Sequence, residues 1–446
     1  MRLEKTPKAP CAYPDPRCDG ARRSPRHVRI AVRLASRPKV AWDLRTDVLV
    51  VGAGPAGGMA ALELARRGIS VVVVDRSRFP REKVCGDGLL EDSLEILGAA
   101  GLDAVLQRRA HRIDRIRFSA PDGREFLLDG CFATLSRRDL DRLLVEEACR
   151  SGAHFVDGIR IKEPLFQGDT CVGAKGVDGS GHSLTVAARV VLLATGANAR
   201  VLGAFGVLEE KRAPAYGMRG YFRVPELGDE REMLIAYDRS FLPFYVWFFP
   251  MGGQVFNVGW GILPDGRGGI PRDKCPASLT RRSPRVARIM AGSSQQSPIR
   301  AAPVRTGFRG ARSCSAGLLV LGEALGLTFP FLGEGISNAL ISGRLAARVV
   351  DKALAAGDVS LSSLLEYDRE LRSLLYSRHQ GYLVAERWFR SSWVANLLIS
   401  RAAGSPALAR VTGEILRGRR GAGAVFSLQG MLRVLLRRYG RLGSRQ

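Results

Sequence analysis

The sequence predicts an α/β fold in which a parallel β-sheet flanked by helices is joined by an inserted antiparallel sheet and a helical C-terminal region. A buried strand over 47–51, a helix rich in Ala and Leu over 59–67 and a second strand over 70–74 follow one another as in a βαβ unit. Short strands dense in aromatic residues fill 219–262, which is typical of an antiparallel sheet. From Ser360 to the C-terminus the pattern is helical.

The turn between the first strand and the first helix carries the glycine pattern of a dinucleotide-binding site. Gly52 allows the tight turn, Gly54 lets the backbone approach a pyrophosphate, and Gly57 lets helix and strand pack closely. The helix N-terminus supplies unpaired N–H groups and a partial positive charge. Asp75, which ends the second strand, can accept a hydrogen bond from an unphosphorylated ribose. The sequence therefore predicts a Rossmann-type domain whose contacts at this end are Gly52, Gly54, Ala56, Gly57, Asp75 and Arg76.

The elements between these landmarks are predicted from local patterns. Residues 113–128 alternate around Asp122-Gly123, which predicts a β-hairpin. The other predicted elements are a helix over 137–150, strands on either side of 178–181, strands over 188–194 and 320–322, and a helix over 335–355.

Composition limits the classes of function. With 446 residues, of which 46% are hydrophobic, the chain can bury a large core in two or three domains. The formal net charge of +25 comes from scattered arginines without a zinc-finger or RNA-binding signature, so we expect no nucleic-acid partner. Eight cysteines without a CxxC pair favour a reducing cytoplasm, and we expect no metal site. The first forty or so residues, rich in Pro and Arg, are predicted to be disordered.

Several separated segments resemble the flavin-dependent geranylgeranyl reductases, within the p-hydroxybenzoate-hydroxylase-like flavoprotein superfamily. The segment 83–89 is similar to that family's Cys-Gly-Asp-Gly motif, and 245–250 is similar to its Tyr-x-Trp-x-Phe-Pro motif. Arg137 stands where the family has an arginine that contacts the cofactor, and 322–336 resembles its second flavin-binding segment. The resemblance, which covers about 47–398, implies a bound FAD and reduction of carbon–carbon double bonds in a prenyl chain or similar lipid.

The resemblance also implies which residues form the site. Cys85 would lie beside the flavin ring as a proton donor or a positioning group, and Tyr245 and Trp247 would wall the substrate pocket. Asp87 would orient the thiol or cap a helix, and Glu334 would complement a helix dipole. Phe241, Phe244, Phe248 and Phe249 extend the aromatic run, half of it facing a pocket and half the core. The further cofactor contacts implied are Cys85, Gly86, Arg137, Gly196, Gly322, Glu323, Gly333, Gly335 and Ile336.

Three positions depart from the family pattern. Glu323 stands where the family has Asp, so the hydrogen bond to the ribityl chain would come from a longer side chain. Thr195 replaces the Asp of an Ala-Asp-Gly motif found in hydroxylases of the superfamily, and Pro243 lies two residues before Tyr245 instead of three. The Thr195 change counts against a hydroxylase. Two alternatives nevertheless stay open: an FAD-dependent monooxygenase or halogenase acting on a small natural product, and a non-catalytic prenyl-lipid carrier that retains FAD, which would fit the Glu323 and Thr195 departures. The electron donor also stays open between NAD(P)H, a ferredoxin and a reduced quinone.

The predicted organisation follows from these segments. Residues 425–439 predict a helix with an apolar stripe fringed by arginines, either docked on its own domain or resting on an anionic membrane. No apolar run is long enough to span a bilayer, so we expect a cytoplasmic monomer with peripheral membrane contact at most. The predicted domains are a basic disordered extension (1–44), an FAD-binding domain (45–110, 131–205 and 300–352), a substrate-binding β-sheet domain (111–130 and 206–299) and a helical C-terminal region (353–446).

Overall fold

The computed structural model describes residues 42–228, 231–264 and 283–435. Within them the chain forms two β-sheets, with helices packed on the first sheet and a helical region that follows it in sequence. The disorder predicted for the N-terminal segment concerns residues that lie outside the described ranges, apart from the last three of 1–44.

The first sheet has a parallel centre, in the order β16-β17-β9-β1-β2-β6, with β7 and β8 attached through β9. Val50 of its central strand pairs with Val73 on one side and Leu192 on the other, as expected for a strand buried on both faces. The strands are β1 (Trp42–Val51), β2 (Val71–Asp75), β6 (His154–Asp157), β7 (Arg160–Gln167), β8 (Thr170–Val177), β9 (Ser183–Leu193), β16 (Cys314–Ser315) and β17 (Leu318–Val320). The strand predicted over 47–51 is confirmed, but it begins at Trp42 because residues 42–46 also pair with β9.

Three helices cover this sheet: α1 (Pro55–Arg66), α4 (Arg137–Arg150) and α7 (Ile336–Ala355). Small residues let α1 approach its neighbours, since a Cβ on Gly58 would lie 2.8 Å from Leu144 and one on Gly343 would lie 2.4 Å from the Ala56 carbonyl oxygen. The first helix was predicted to begin at residue 59, yet it begins at Pro55. Proline is well placed at a first helical position because its missing N–H has no helical partner there.

The second sheet runs in the order β14-β10-β13-β12-β11-β4-β5-β3, with β15 paired to β10. Its strands are β3 (Gly88–Leu89), β4 (His111–Ser119), β5 (Glu125–Thr134), β10 (Ala215–Arg223), β11 (Glu232–Ala236), β12 (Val246–Gly252), β13 (Val255–Ile262), β14 (Ser294–Gln295) and β15 (Arg300–Val304). The predicted hairpin is confirmed as β4 and β5. The described pairs of this sheet are antiparallel except one, since β11 runs parallel to β4 with Glu232 opposite Arg115.

The helical character predicted after Ser360 is confirmed as far as Leu435. The helices there are α8 (Leu361–Trp388), α9 (Ser392–Ala403), α10 (Pro406–Leu416), α11 (Gly423–Phe426) and α12 (Leu428–Leu435). The single helix predicted over 425–439 is interrupted at Ser427, whose hydroxyl accepts a hydrogen bond from the Gly430 N–H at 3.0 Å. Shorter helices elsewhere are α2 (Glu91–Ala99), α3 (Asp103–Arg109), α5 (Ala199–Ala204) and α6 (Pro284–Ile289). Among the described residues, none of these helices combines the length and hydropathy that crossing a bilayer requires.

Candidate functional site

A cavity of about 390 Å³ extends from the glycine turn after β1 to the aromatic face of the second sheet. It therefore joins the two segments that the sequence singled out, although they lie far apart in the chain. Its wall contains Cys85, Tyr245 and Trp247, together with most of the predicted cofactor contacts. Those contacts are Gly52, Gly54, Ala56, Asp75, Arg76, Gly86, Arg137, Gly196, Glu323, Gly333, Gly335 and Ile336.

Gly57 and Gly322, two other predicted contacts, do not form part of the cavity wall. A Cβ on Gly57 would lie 1.9 Å from the Gly52 carbonyl oxygen, so this glycine lets the helix start pack against the turn. Gly322 has φ +62° and a Cβ there would lie 2.9 Å from that of Ala56, while its N–H donates to Ser342 Oγ at 3.0 Å. Both glycines therefore lie outside the cavity lining and allow close packing of the segments that form the wall.

The glycine turn faces a corner with two guanidinium groups and two carboxylates, in which Arg81 Nη2 lies 3.5 Å from Asp75 Oδ2. Arg137 holds Asp141 with two hydrogen bonds of 2.8 Å, and Arg81 reaches the same carboxylate at 2.9 Å. The Asp141 carboxylate is buried and its negative charge raises the pKa of Arg137. Two guanidinium groups share this carboxylate, and Arg137 Nη2 would be 3.4 Å from a Cβ on Gly54. The corner can therefore bind an anionic group that approaches the turn.

Asp75 lies at the carboxyl end of β2, where the sequence predicted it. Its Oδ2 accepts the N–H of Ala53 at 2.9 Å and its Oδ1 accepts the N–H of Ser77 at 2.9 Å. These two bonds fix the carboxylate against the turn. Oδ2 also accepts Arg81 Nη2 at 3.5 Å, whereas Oδ1 keeps a lone pair that could accept a hydroxyl from a ligand in the cavity.

Glu323 and Thr195, two of the departures from the family pattern, line the cavity. Lys83 Nζ is 3.6 Å from Glu323 Oε2, so an ion pair joins the segment before Cys85 to the segment that begins at Gly322. Thr195 Oγ1 is buried and has no hydrogen-bond partner within the part of the chain that the structure describes. A bound molecule with a polar group at this depth would supply one.

The Cys85 thiol retains its proton at neutral pH. Burial and the nearby Asp87 raise its pKa above the ordinary value of a cysteine, against the opposing effects of Arg137 and the Asp87 N–H. Cys85 is therefore a thiol that can donate a proton, and it has little of the thiolate character of a nucleophile.

Asp87 is fully buried and its backbone has φ +61°, a conformation that few residues other than glycine adopt. Its Oδ1 accepts the N–H of Arg137 at 3.2 Å, so it caps the first turn of α4, one of its two predicted roles. Its Oδ2 accepts Tyr221 Oη–H at 2.6 Å and an N–H of Asn257 Nδ2 at 2.8 Å. Burial raises the pKa of Asp87 to about 6 although all three donors lower it. Tyr221 and Asn257 were not predicted, because neither belongs to a recognisable motif.

The aromatic run of β12 and the residues before it divides between cavity and core. Phe244 and Phe249 line the cavity together with the predicted Tyr245 and Trp247. Apolar residues of β4 and β11 extend the same surface, namely Ile116, Phe118, Met233 and Ile235. Phe241 and Phe248 instead belong to the hydrophobic core of the second sheet, so four of the six aromatic residues line the cavity where about half were expected to.

The segment before α7 presents backbone groups to the cavity. Gly333 has φ +67°, and the Tyr245 hydroxyl donates to the neighbouring Leu332 carbonyl oxygen. Glu334 accepts the N–H and the hydroxyl of Ser337, both at 2.8 Å, and therefore complements the positive end of α7 as predicted. Burial raises the pKa of Glu334 to about 7.

The cavity suits an FAD molecule on these grounds. The glycine turn admits a pyrophosphate, the arginine corner can balance its charge, and the unpaired Thr195 hydroxyl lacks only a ligand partner. The opposite end combines a helix N-terminus with an aromatic wall beside which an isoalloxazine ring could lie.

Comparison with known proteins identifies relatives over most of the chain. The FAD binding domain family matches residues 45–340. A menaquinone reductase of Mycolicibacterium smegmatis is 30% identical over 370 residues, covering 77% of this chain and 84% of that protein. A digeranylgeranylglycerophospholipid reductase of Methanosphaerula palustris is 29% identical over 368 residues, covering 78% of this chain and 87% of that protein.

Solved structures share the fold. A geranylgeranyl bacteriochlorophyll reductase-like protein from Thermoplasma acidophilum superimposes with a TM-score of 0.71 at 20% identity, covering 90% of this chain and 98% of that one. A flavin-dependent brominase gives a TM-score of 0.71 at 18% identity, covering 90% of this chain and 100% of that one. The α/β fold of FAD-dependent oxidoreductases is therefore common to reductases and halogenases, and the fold alone does not distinguish their chemistry.

Proposed function

We propose a reaction from one premise: the chain belongs to the FAD binding domain family, as an FAD-dependent oxidoreductase of the geranylgeranyl reductase type. The reaction is the reduction of carbon–carbon double bonds in a prenyl chain. The observation that carries it is the pairing of a protonated thiol, Cys85, with an apolar aromatic wall in one cavity. The names of the relatives, which denote reductases of menaquinone and of a digeranylgeranyl lipid, support the substrate class.

An isolated alkene is unpolarised, so a hydride and a proton must reach neighbouring carbons in a dry and ordered site. When bound, reduced FAD supplies the hydride. Tyr245, Trp247 and Phe249 hold the prenyl chain flat and exclude water. The Cys85 S–H bond breaks as its proton forms the second new C–H bond, and solvent later returns a proton to the thiolate.

The other end of the cavity would hold the cofactor. Arg81 and Arg137 would balance the pyrophosphate and Asp75 would accept a ribose hydroxyl. The N–H groups that precede α7 would lie at the flavin edge where reduction places negative charge. Thr195 Oγ1 and Glu323 would bond the polar chain between ring and pyrophosphate.

The substrate class is tested with the FAD-loaded protein, reduced by dithionite under anaerobic conditions and mixed with a geranylgeranyl glycerophospholipid. Mass spectrometry should show gains in multiples of two hydrogens. Cys85→Ser should slow the reaction by about a hundredfold, as loss of a general acid does. Cys149→Ser is the control, because Cys149 lies on α4 away from the cavity wall.

The result that would reject this assignment is an unchanged lipid mass together with an oxygenated-flavin intermediate when oxygen and a small aromatic substrate are supplied. That outcome would favour the monooxygenase or halogenase alternative. Failure of the bound flavin to bleach with dithionite would favour the non-catalytic carrier.

We further propose that α12 contacts the membrane from which a lipid substrate is taken. Leu428, Leu432 and Leu435 are 74%, 55% and 40% exposed along one side of this helix, whereas Met431 and Val434 are buried against the protein. The net charge of +25 favours an anionic surface. Leu432→Glu should reduce co-sedimentation with anionic vesicles without altering flavin content. Equal sedimentation of variant and wild type would reject the contact.

A further inference from the structure

Behind the cavity wall lies a buried asparagine, Asn257, whose three side-chain hydrogen bonds all go to groups at the site. It lies on β13 with no exposed surface, directly opposite Tyr221 of β10 and Phe249 of β12. Its Nδ2 donates to the Cys85 carbonyl oxygen and to Asp87 Oδ2, both at 2.8 Å. Its Oδ1 accepts the indole N–H of Trp247 at 2.9 Å.

These partners leave the amide only one orientation. A carbonyl and a carboxylate oxygen can only accept, and an indole N–H can only donate. Rotating the Asn257 amide by half a turn would therefore place like groups together at all three contacts. An aspartate has the same shape but lacks both N–H donors, and a leucine lacks every polar atom.

The turn that carries Cys85 and the Trp247 ring are also in direct contact. A Cβ on Gly86 would lie 3.5 Å from Trp247 Nε1 and 3.2 Å from Phe249 Cε2. On its other side the indole packs on Gly259, where a Cβ would lie 2.2 Å from Trp247 Cζ2. The ring thus fits between two glycines, and Asn257 supplies the polar bonds that join ring and turn.

We propose that Asn257 is a positioning residue that fixes the Cys85 turn against the Trp247 indole. It acts through these two groups and does not itself line the cavity. The part of this proposal that concerns catalysis rests on the proposed function. The position of the Cys85 turn against the Trp247 ring can be measured without substrate.

The first test measures the rate at which iodoacetamide alkylates Cys85, followed by mass spectrometry of the Cys85 peptide. In Asn257→Leu and Asn257→Asp, release of the turn should raise this rate by about tenfold, as expected when buried hydrogen bonds are lost. Asn338→Leu is the matched control: Asn338 is equally buried and donates to the Leu327 carbonyl oxygen at 2.7 Å, outside the cavity wall. The rate of Cys85 alkylation in Asn338→Leu should match that of the wild type.

The second test is a double-mutant cycle with Trp247→Phe, which removes the indole donor. If Asn257 acts through the ring, Asn257→Leu should lower kcat by about tenfold in the wild type and by clearly less in the Trp247→Phe background, with little change in KM. If Asn257→Leu does not fold, Asn257→Asp replaces it both in the alkylation test and in the double-mutant cycle with Trp247→Phe.

Cys85 alkylation at the wild-type rate in both Asn257 variants would overturn the proposal, as would strictly additive effects on kcat. Altered alkylation in a protein that reduces no prenyl lipid would support the role of Asn257 and reject the proposed function instead.

Discussion

Asp87 gives a prediction about stability and pH. Its pKa rises from the ordinary 3.8 to about 6 in the folded protein because burial outweighs the donors Tyr221, Asn257 and Arg137. Between these pKa values the folded state holds the proton and the unfolded state does not, so raising the pH favours unfolding. The stability due to this proton is complete below the unfolded pKa and is lost as the pH rises through about 6.

The size of the effect follows from the two pKa values. A difference of about two pH units corresponds to about 3 kcal/mol in the free energy of unfolding. About 2 kcal/mol of this falls between about pH 4.5 and about pH 7.5. Asp87→Asn keeps the shape of the side chain and removes the titration.

The assay is urea unfolding of both proteins, saturated with FAD, across that pH range. The free energy of unfolding of the wild type minus that of Asp87→Asn should fall by about 2 kcal/mol as the pH rises. Glu334 titrates in both proteins, so its contribution cancels. Tyr221→Phe removes one donor and should extend the fall to higher pH. A difference that stays constant or rises with pH would refute the reasoning.

The glycine turn, the thiol and the Tyr245 hydroxyl give three other expectations. Gly57→Ala would place a Cβ 1.9 Å from a backbone oxygen and should abolish the flavin absorbance of the purified protein, whereas Gly179→Ala, in an open surface turn, should preserve it. Because burial raises the pKa of Cys85, the midpoint pH of its alkylation should lie above that of a free cysteine, and a lower midpoint would contradict this. Tyr245→Phe removes the hydrogen bond to the Leu332 carbonyl and should weaken FAD binding about tenfold in a fluorescence titration; an unchanged Kd would count against it.

The sequence was most informative where function requires a fixed local spacing. The turn from Gly52 to Gly57 and the acid at Asp75 were predicted because a strand, a turn and a helix must follow one another closely around a pyrophosphate. Within β12 the alternation was predicted because successive side chains point to opposite faces of a strand: Trp247 and Phe249 line the cavity, and Phe248 packs in the core.

Contacts between distant strands could not be predicted in this way. Asn257 forms hydrogen bonds with Cys85 and Asp87 because β13 packs against the turn that carries them. Arg81 forms its ion pair with Asp141 because α4 packs against the segment that carries Arg81. Each of these residues is ordinary in its own sequence neighbourhood. Their roles depend on tertiary packing, which local periodicity does not encode.

The parallel pairing of β4 with β11 has a consequence for how the protein forms during synthesis. Arg115 of β4 pairs with Glu232 of β11, which is synthesised more than a hundred residues later. Until then, the edge of β4 that faces β11 has no partner strand. Contacts so distant in sequence close slowly, and until then this edge of the nascent hairpin stays unpaired. At least the first 236 residues must therefore be synthesised before β4 and β11 can pair.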